Sequence, residues 1–100
     1  MQDHSELTHL LDQLRRYFPE LAAKYHVRSL GLFGSFVRHE QHRDSDVDLL
    51  VTFDTVPGLL QFIALENELS DRLGMRVDLV MRDALKPAIG EQILAEVVPI

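Results

Sequence analysis

Hydrophobic residues recur along this chain at spacings that change from helical to strand-like and back. An N-terminal set recurs every three or four residues and predicts an amphipathic helix over about residues 5–17, with Ser5 as its N-cap. The members of this set are Leu7, Leu10, Leu11, Leu14 and Phe18. Pro19 suits the first turn of a second short helix, PELAAKY. Helical spacing returns over residues 59–73, before Gly74, and again from about Ala84.

Three apolar segments between these helices have the composition of strands. They cover residues 27–33, 46–53 and 76–81. After the first strand, the pattern predicts a short helix over residues 36–40 and a polar connection over 41–45, and TVPG at 55–58 is a turn. The alternation of helices and strands predicts an α/β fold with a small mixed sheet of three or four strands backed by helices, in a single domain over residues 1–100.

Composition narrows the class of protein. Hydrophobic residues make up 46% and charged residues 26% of the chain, which is typical of a soluble globular protein. The absence of cysteine excludes disulfides and thiolate metal sites. A net charge of −6 argues against direct nucleic-acid binding. No apolar run is long enough to cross a membrane and the N-terminus lacks the blocks of a signal peptide, so we expect a cytoplasmic protein.

The candidate chemistry lies between residues 30 and 51. Gly34-Ser35 follows the first strand, where a glycine turn and a helix start would expose backbone N–H groups to an anion such as phosphate. Asp46 and Asp48 alternate at the start of the second strand and therefore share one face. Two adjacent carboxylates favour a divalent cation such as Mg²⁺. Each feature alone is also typical of an ordinary turn or of a solvated strand entry.

The combination is more specific than its parts. Gly34-Ser35, ten intervening residues and Asp46-Val47-Asp48 match the GSx10DxD pattern of the DNA polymerase β nucleotidyltransferase superfamily. GLFGSFVRHE and SDVDLLVTF resemble the minimal nucleotidyltransferases (MNT), whose usual signature reads like GSFARGE followed by SDIDLLV. The resemblance extends over nearly the whole chain. It departs at Val37, where alanine is usual, and at His39, where glycine is usual, a change that could alter ligand fit.

This resemblance implies a polymerase β-type core and a specific reaction. AMP would pass from ATP to a hydroxyl, with two Mg²⁺ ions at Asp46 and Asp48. Gly34 and Ser35 would hold the phosphates, and Arg38 would either contact phosphate or pair with a carboxylate. The family also implies a third carboxylate. Asp78 would supply it as metal ligand and general base if the third strand lies beside the second. The alternative is an edge-strand aspartate that faces water.

Small size indicates that a partner supplies the acceptor. The MNT resemblance implies an antitoxin that adenylylates a tyrosine of a HEPN-domain ribonuclease toxin. One alternative is a non-catalytic module of the same fold that neutralises its partner by occlusion, which His39 would favour. Another is an enzyme that modifies a small molecule. The outer helices could bind a toxin or a second copy of the chain. His39, His42 and Asp44 are interpreted as solvated loop residues.

Overall fold

A computed structural model of the protein describes residues 2–100, with side chains described from residue 6. Over residues 2–100 the chain forms three α-helices and four β-strands. In chain order these are α1 (Gln2–Tyr25), β1 (Val27–Phe33), β2 (Val47–Phe53), α2 (Leu59–Leu73), β3 (Val77–Met81), α3 (Pro87–Glu96) and β4 (Val98–Pro99). A 3₁₀ turn, Arg82–Ala84, separates β3 from α3. No helix in this described part of the chain is both long and apolar enough to cross a bilayer.

The N-terminal helix corrects one prediction from the sequence. The pattern indicates two helices separated at Pro19, but α1 is a single helix that contains Pro19. Leu14, Leu21 and Tyr25 lie on one face across the proline and are all buried, so packing outweighs the hydrogen bond that Pro19 cannot donate. The helix also begins before Ser5, whose proposed capping side chain lies outside the described residues.

The four strands form one mixed sheet in the order β3-β2-β1-β4. β1 pairs with β2 and β4 in antiparallel orientation, and β2 pairs with β3 in parallel orientation. The predicted α/β fold with a small mixed sheet is therefore confirmed. The parallel pairing fulfils the condition set for Asp78, because its strand lies directly beside the strand that contains Asp48.

One face of this sheet carries the hydrophobic core. Leu30 pairs with Val51 and Leu32 with Leu49 across β1 and β2, and all four side chains are buried on that face. Helices α1 and α2 cover it with a set of leucines and one tyrosine. These are Leu10, Leu11, Leu14, Leu21 and Tyr25 of α1, and Leu65, Leu69 and Leu73 of α2. The opposite face carries Asp48 and Asp78 toward one end, together with the apolar Leu50, which is also buried.

Polar contacts fix α2 against its neighbours. The Tyr25 hydroxyl of α1 donates to Glu68 Oε1 at 2.7 Å, and this hydrogen bond is the main reason that the pKa of Glu68 is lowered. On the other side of α2, Ser70 Oγ accepts the Val77 N–H at 3.0 Å and Glu66 Oε2 accepts the Leu79 N–H at 2.8 Å. The outer edge of β3 is thereby hydrogen-bonded to side chains of α2.

Candidate active site

Three aspartates lie near the start of β2 and β3. Asp48 is the second residue of β2 and stands opposite Asp78 in the parallel register, so both side chains lie on the open face of the sheet. Asp46 immediately precedes β2. Asp48 is half-buried, whereas Asp78 is exposed at the edge of the sheet. Strand pairing thus places Asp48 beside Asp78, and Asp46 lies two residues before Asp48 along the chain.

The pKa of Asp48 is shifted by its burial and by the neighbouring charges. It is raised from 3.8 to about 6, first because burial disfavours the charged form and then because Asp78 and Asp46 repel it. Glu96 adds further repulsion, and Arg38 partly offsets the rise. A half-buried carboxylate among like charges is unfavourable for the fold by itself, and it is typical of functional sites.

These residues have the chemistry that a divalent cation requires, although they do not form a finished cage. Carboxylate oxygens are the ligands that Mg²⁺ prefers, and a cation would relieve the repulsion at Asp48. Among the residues that the structure describes, however, no three His, Cys, Asp or Glu side chains are grouped closely enough to hold a metal ion together. One cationic group is already present, because Arg76 Nε donates to Asp46 Oδ1 at 2.9 Å.

The glycine turn is built around Asp48. Gly34 follows β1 and adopts a φ of +84°, which favours glycine. A Cβ atom placed on Gly34 would stand 2.1 Å from Asp48 Oδ2, far inside contact distance. Two independent constraints, backbone conformation and the closeness of Asp48, therefore require glycine at this position.

The segment after Gly34 corrects a second prediction. The sequence predicts a short helix over residues 36–40, but the segment forms consecutive turns. The Gly34 carbonyl accepts the N–H groups of Val37 and Arg38, both at 3.1 Å, which makes one helical turn. His39 then takes a φ of +58°, and the Glu40 N–H donates to the Ser35 carbonyl in the pattern that ends helices. His39, which stands where the minimal nucleotidyltransferase signature has glycine, is thus left-handed in this chain.

Arg38 takes the second of the two roles that the sequence allows. Its guanidinium NH1 group contacts both carboxylate oxygens of Glu96 at 3.0 Å, and its Nε donates to Glu40 at 3.1 Å. The Gly34 N–H also donates to Glu96 Oε2, at 2.7 Å. Glu96 is the last residue of α3, so these contacts connect the end of α3 to the glycine turn.

A cleft of about 230 Å³ lies at this junction. It opens between the glycine turn, the face of β2 that carries Asp48 and the end of α3. Its walls are formed by Phe33, Gly34, Arg38, Asp48, Gln92, Ile93 and Glu96. Two predicted phosphate contacts and one predicted metal ligand share this cleft. Ser35 is half-buried beside it, and its carbonyl is engaged by Glu40.

Two residues of the site were not predicted from the sequence. Arg76 could have been found from the parallel register, because Val47 pairs with Val77 and the preceding residues, Asp46 and Arg76, are therefore neighbours. Glu96 has no such signal, since it lies 62 residues from Gly34 and its local sequence is that of an ordinary helix end. His42 and Asp44 stay in the polar connection and are exposed, where the Asp44 N–H donates to His42 Nδ1.

Comparison with known proteins agrees with this geometry. Protein adenylyltransferase MntA of Thermococcus cleftensis is 53% identical over 79 residues, which cover 79% of this chain and 80% of that protein. MJ0128 of Methanocaldococcus jannaschii, whose name assigns the same activity provisionally, is 45% identical over 80 residues, or 80% of this chain and 82% of its own. A solved structure classed as a minimal nucleotidyltransferase is 38% identical, with a TM-score of 0.77 and coverage of 90% and 92% of the two chains.

More distant structures share the fold. A chain in the structure of a tri-AMPylated Shewanella oneidensis HEPN toxin in complex with MNT antitoxin matches with 18% identity and a TM-score of 0.60, covering 97% of this chain and 70% of that one. Residues 11–100 match the nucleotidyltransferase domain family. The resemblance seen in the sequence is confirmed, and this chain belongs to the nucleotidyltransferase domain family, among its minimal nucleotidyltransferases.

Proposed function

We propose that this enzyme transfers AMP from ATP to a hydroxyl group of a partner protein. The observation that carries the proposal is the in-register pairing of Asp48 and Asp78 on an open sheet face, beside a glycine turn that only glycine can form. Relatives of high identity named as protein adenylyltransferases support AMP as the transferred group.

Each residue has a distinct part in this reaction. Asp46 and Asp48 would hold Mg²⁺, which when bound supplies neutralisation of the charge on the phosphates. The Gly34 turn, Ser35 and Arg38 would orient the phosphates through N–H, hydroxyl and guanidinium donors. The acceptor oxygen attacks the α-phosphorus, the bond from that phosphorus to the bridging oxygen breaks, and pyrophosphate leaves.

Asp78 would accept the proton of the attacking hydroxyl. It is exposed, so a side chain of another protein can reach it, and it stands next to Asp48 in the sheet. A general base must lie within hydrogen-bond reach of the proton that it removes, and a position next to Asp48, the proposed metal ligand, would give Asp78 that reach toward an incoming hydroxyl.

A HEPN-domain toxin is the proposed acceptor protein, with a tyrosine as the modified residue. The support comes from the complex of an AMPylated HEPN toxin with an MNT antitoxin, whose antitoxin has this fold. The alternative of a purely occluding module depended on His39. In the structure His39 is exposed and adopts a left-handed backbone conformation. We therefore attribute its departure from the signature to the backbone conformation of the turn.

Intact-mass analysis of a HEPN-domain partner tests this proposal directly. After incubation with this protein, ATP and Mg²⁺, we expect a mass gain in whole AMP units. We expect Asp46→Ala/Asp48→Ala to abolish the gain, and the exposed neighbour Asp44→Ala to retain it as the matched control. If no AMP is added while wild type and the double variant both silence the partner, the occluding module replaces the enzyme.

A further inference from the structure

The anion-binding groups of the glycine turn already hold an anion that belongs to the chain itself. The Glu96 carboxylate accepts the Gly34 N–H at 2.7 Å and contacts the Arg38 guanidinium at 3.0 Å through both oxygens. A backbone N–H and a guanidinium are the donors with which proteins hold phosphate oxygens. Glu96 thus makes the contacts that a nucleotide phosphate would make in the same cleft.

The charge around Glu96 strengthens this comparison. Asp48 lines the same cleft, and its pKa is raised in part by the Glu96 charge. A triphosphate that entered the cleft beside two carboxylates would be repelled by both. Mg²⁺ held by Asp48 would attract the phosphates. The Glu96 carboxylate would still compete with them for the Gly34 N–H and the Arg38 guanidinium.

The backbone of Glu96 is held in place, so its side chain can change conformation without a change in the fold. Its backbone is the last residue of α3, and two residues later β4 pairs with β1. The Glu96 side chain is 24% exposed and that of Arg38 is 48% exposed, so water borders the contact. A change of side-chain rotamer is enough to release both donors.

We propose that Glu96 occupies the phosphate site in the nucleotide-free protein, and that nucleotide binds by displacing its carboxylate from Gly34 and Arg38. This inference rests on the proposed function, in that it takes these donors to be the phosphate contacts. Glu96 then sets the affinity for nucleotide and keeps Arg38 oriented between turnovers. If the contact is closed about nine-tenths of the time, apparent affinity is reduced about tenfold.

Titration with inorganic tripolyphosphate in the presence of MgCl₂ tests this inference on the full chain. The readouts are the Gly34 amide and Arg38 Nε–H resonances in ¹⁵N NMR spectra. Glu96→Gln keeps the size of the side chain and removes its charge, and Glu91→Gln, an exposed position on the same helix, removes the same charge away from the cleft. We expect Glu96→Gln to bind tripolyphosphate about tenfold more tightly than Glu91→Gln or wild type.

Equal or weaker binding by Glu96→Gln than by Glu91→Gln overturns the inference, since a residue that only positions Arg38 would weaken binding when neutralised. A measurement on the wild type alone covers the case in which Glu96→Gln fails to fold. On saturation with tripolyphosphate, the ¹³C resonance of the Glu96 carboxyl must shift together with the Gly34 amide. A Gly34 shift without a Glu96 shift, or no Gly34 shift, overturns the inference.

The AMP-transfer assay separates the two proposals. If Glu96→Gln binds tripolyphosphate more tightly but the wild type adds no AMP to its partner, the proposed function fails and the competition at the glycine turn stands. If the wild type transfers AMP and Glu96→Gln leaves the KM for ATP unchanged or higher, the function stands and the competition fails. A lower KM for ATP with Glu96→Gln supports both.

Discussion

At the scale of single residues, Gly34 and Asp48 depend on each other. The carboxylate of Asp48 fills the space where any other residue at position 34 would have its Cβ atom, and the φ of +84° at Gly34 adds a second restriction. The close approach holds Asp48 in a half-buried position beside Asp78. The geometry of the candidate site therefore depends on the absence of a Cβ atom at position 34.

Gly34→Ala is expected to lower the free energy of unfolding by about 2 kcal/mol or more, because it adds backbone strain and a collision with Asp48. Gly74→Ala is the matched control. Gly74 has a φ of +67° but no atom within 4 Å of an added Cβ, so it carries the strain alone, about 1 kcal/mol. Urea denaturation of both variants measures the difference. Equal losses in the free energy of unfolding would show that the contact with Asp48 does not affect stability.

The raised pKa of Asp48 predicts a pH-dependent cost. Because the folded state binds this proton more tightly than the unfolded state, with pKa values of about 6 and 3.8, the free energy of unfolding should fall as pH rises between those values. Asp48→Asn removes that cost, so in metal-free buffer the variant should gain about 1 kcal/mol on wild type between pH 4 and pH 7, allowing for partial exposure.

Urea unfolding at a series of pH values, with Asp44→Asn as an exposed control, measures this effect. The gain should be absent near pH 4 and complete by about pH 7, one unit above the folded-state pKa of Asp48. A difference between Asp48→Asn and wild type that stays constant with pH would mean that burial and the neighbouring aspartates do not perturb Asp48 as described.

At the scale of elements, α1 shows how packing decides helix length. Pro19 is exposed on the outer side of the helix, while Leu14, Leu21 and Tyr25 continue the buried face on either side of it. A polar contact also holds this part of α1, because Glu20 pairs with Arg72 of α2. A helix that is fixed at both ends by such contacts tolerates a missing internal hydrogen bond.

Pro19→Ala should therefore stabilise the protein by about 1–3 kcal/mol, because it restores an N–H donor to the Arg15 carbonyl and removes the clash of the ring with that turn. Thermal and urea unfolding measure the gain. Arg16→Ala, at an exposed position of the same helix, controls for the helix propensity of alanine. A Pro19→Ala protein no more stable than Arg16→Ala would indicate that α1 already absorbs the proline without strain.

At the scale of the whole molecule, the sequence predicts the parts that are locally encoded. The bounds of β1 and α2 agree with their apolar patterns and, for α2, with Gly74 as the terminating residue. The predicted helix over residues 36–40 was wrong because a left-handed residue, His39, ends it after one turn. The pattern could not show this, because a single histidine in a polar stretch does not by itself indicate a left-handed backbone.

The candidate site divides in the same way. Asp46 and Asp48 follow from alternation along one strand, and Asp78 follows once β3 is placed beside β2. The contact of Glu96 with Gly34 and Arg38 could not be predicted, because it joins residues 62 and 58 positions apart in the sequence through the packing of α3 and β4. A charge at the end of a helix has many solvated alternatives, and only the folded chain selects among them.

The edge of β3 carries one more consequence. Glu66 and Ser70 occupy the outward N–H groups of Leu79 and Val77, so this edge offers few free donors to an additional strand. An acceptor protein therefore cannot align a backbone segment alongside Asp78 by β-augmentation. It must present its hydroxyl from above the open face, on a loop or a helix, and its recognition depends on the shape of that approach rather than on main-chain pairing.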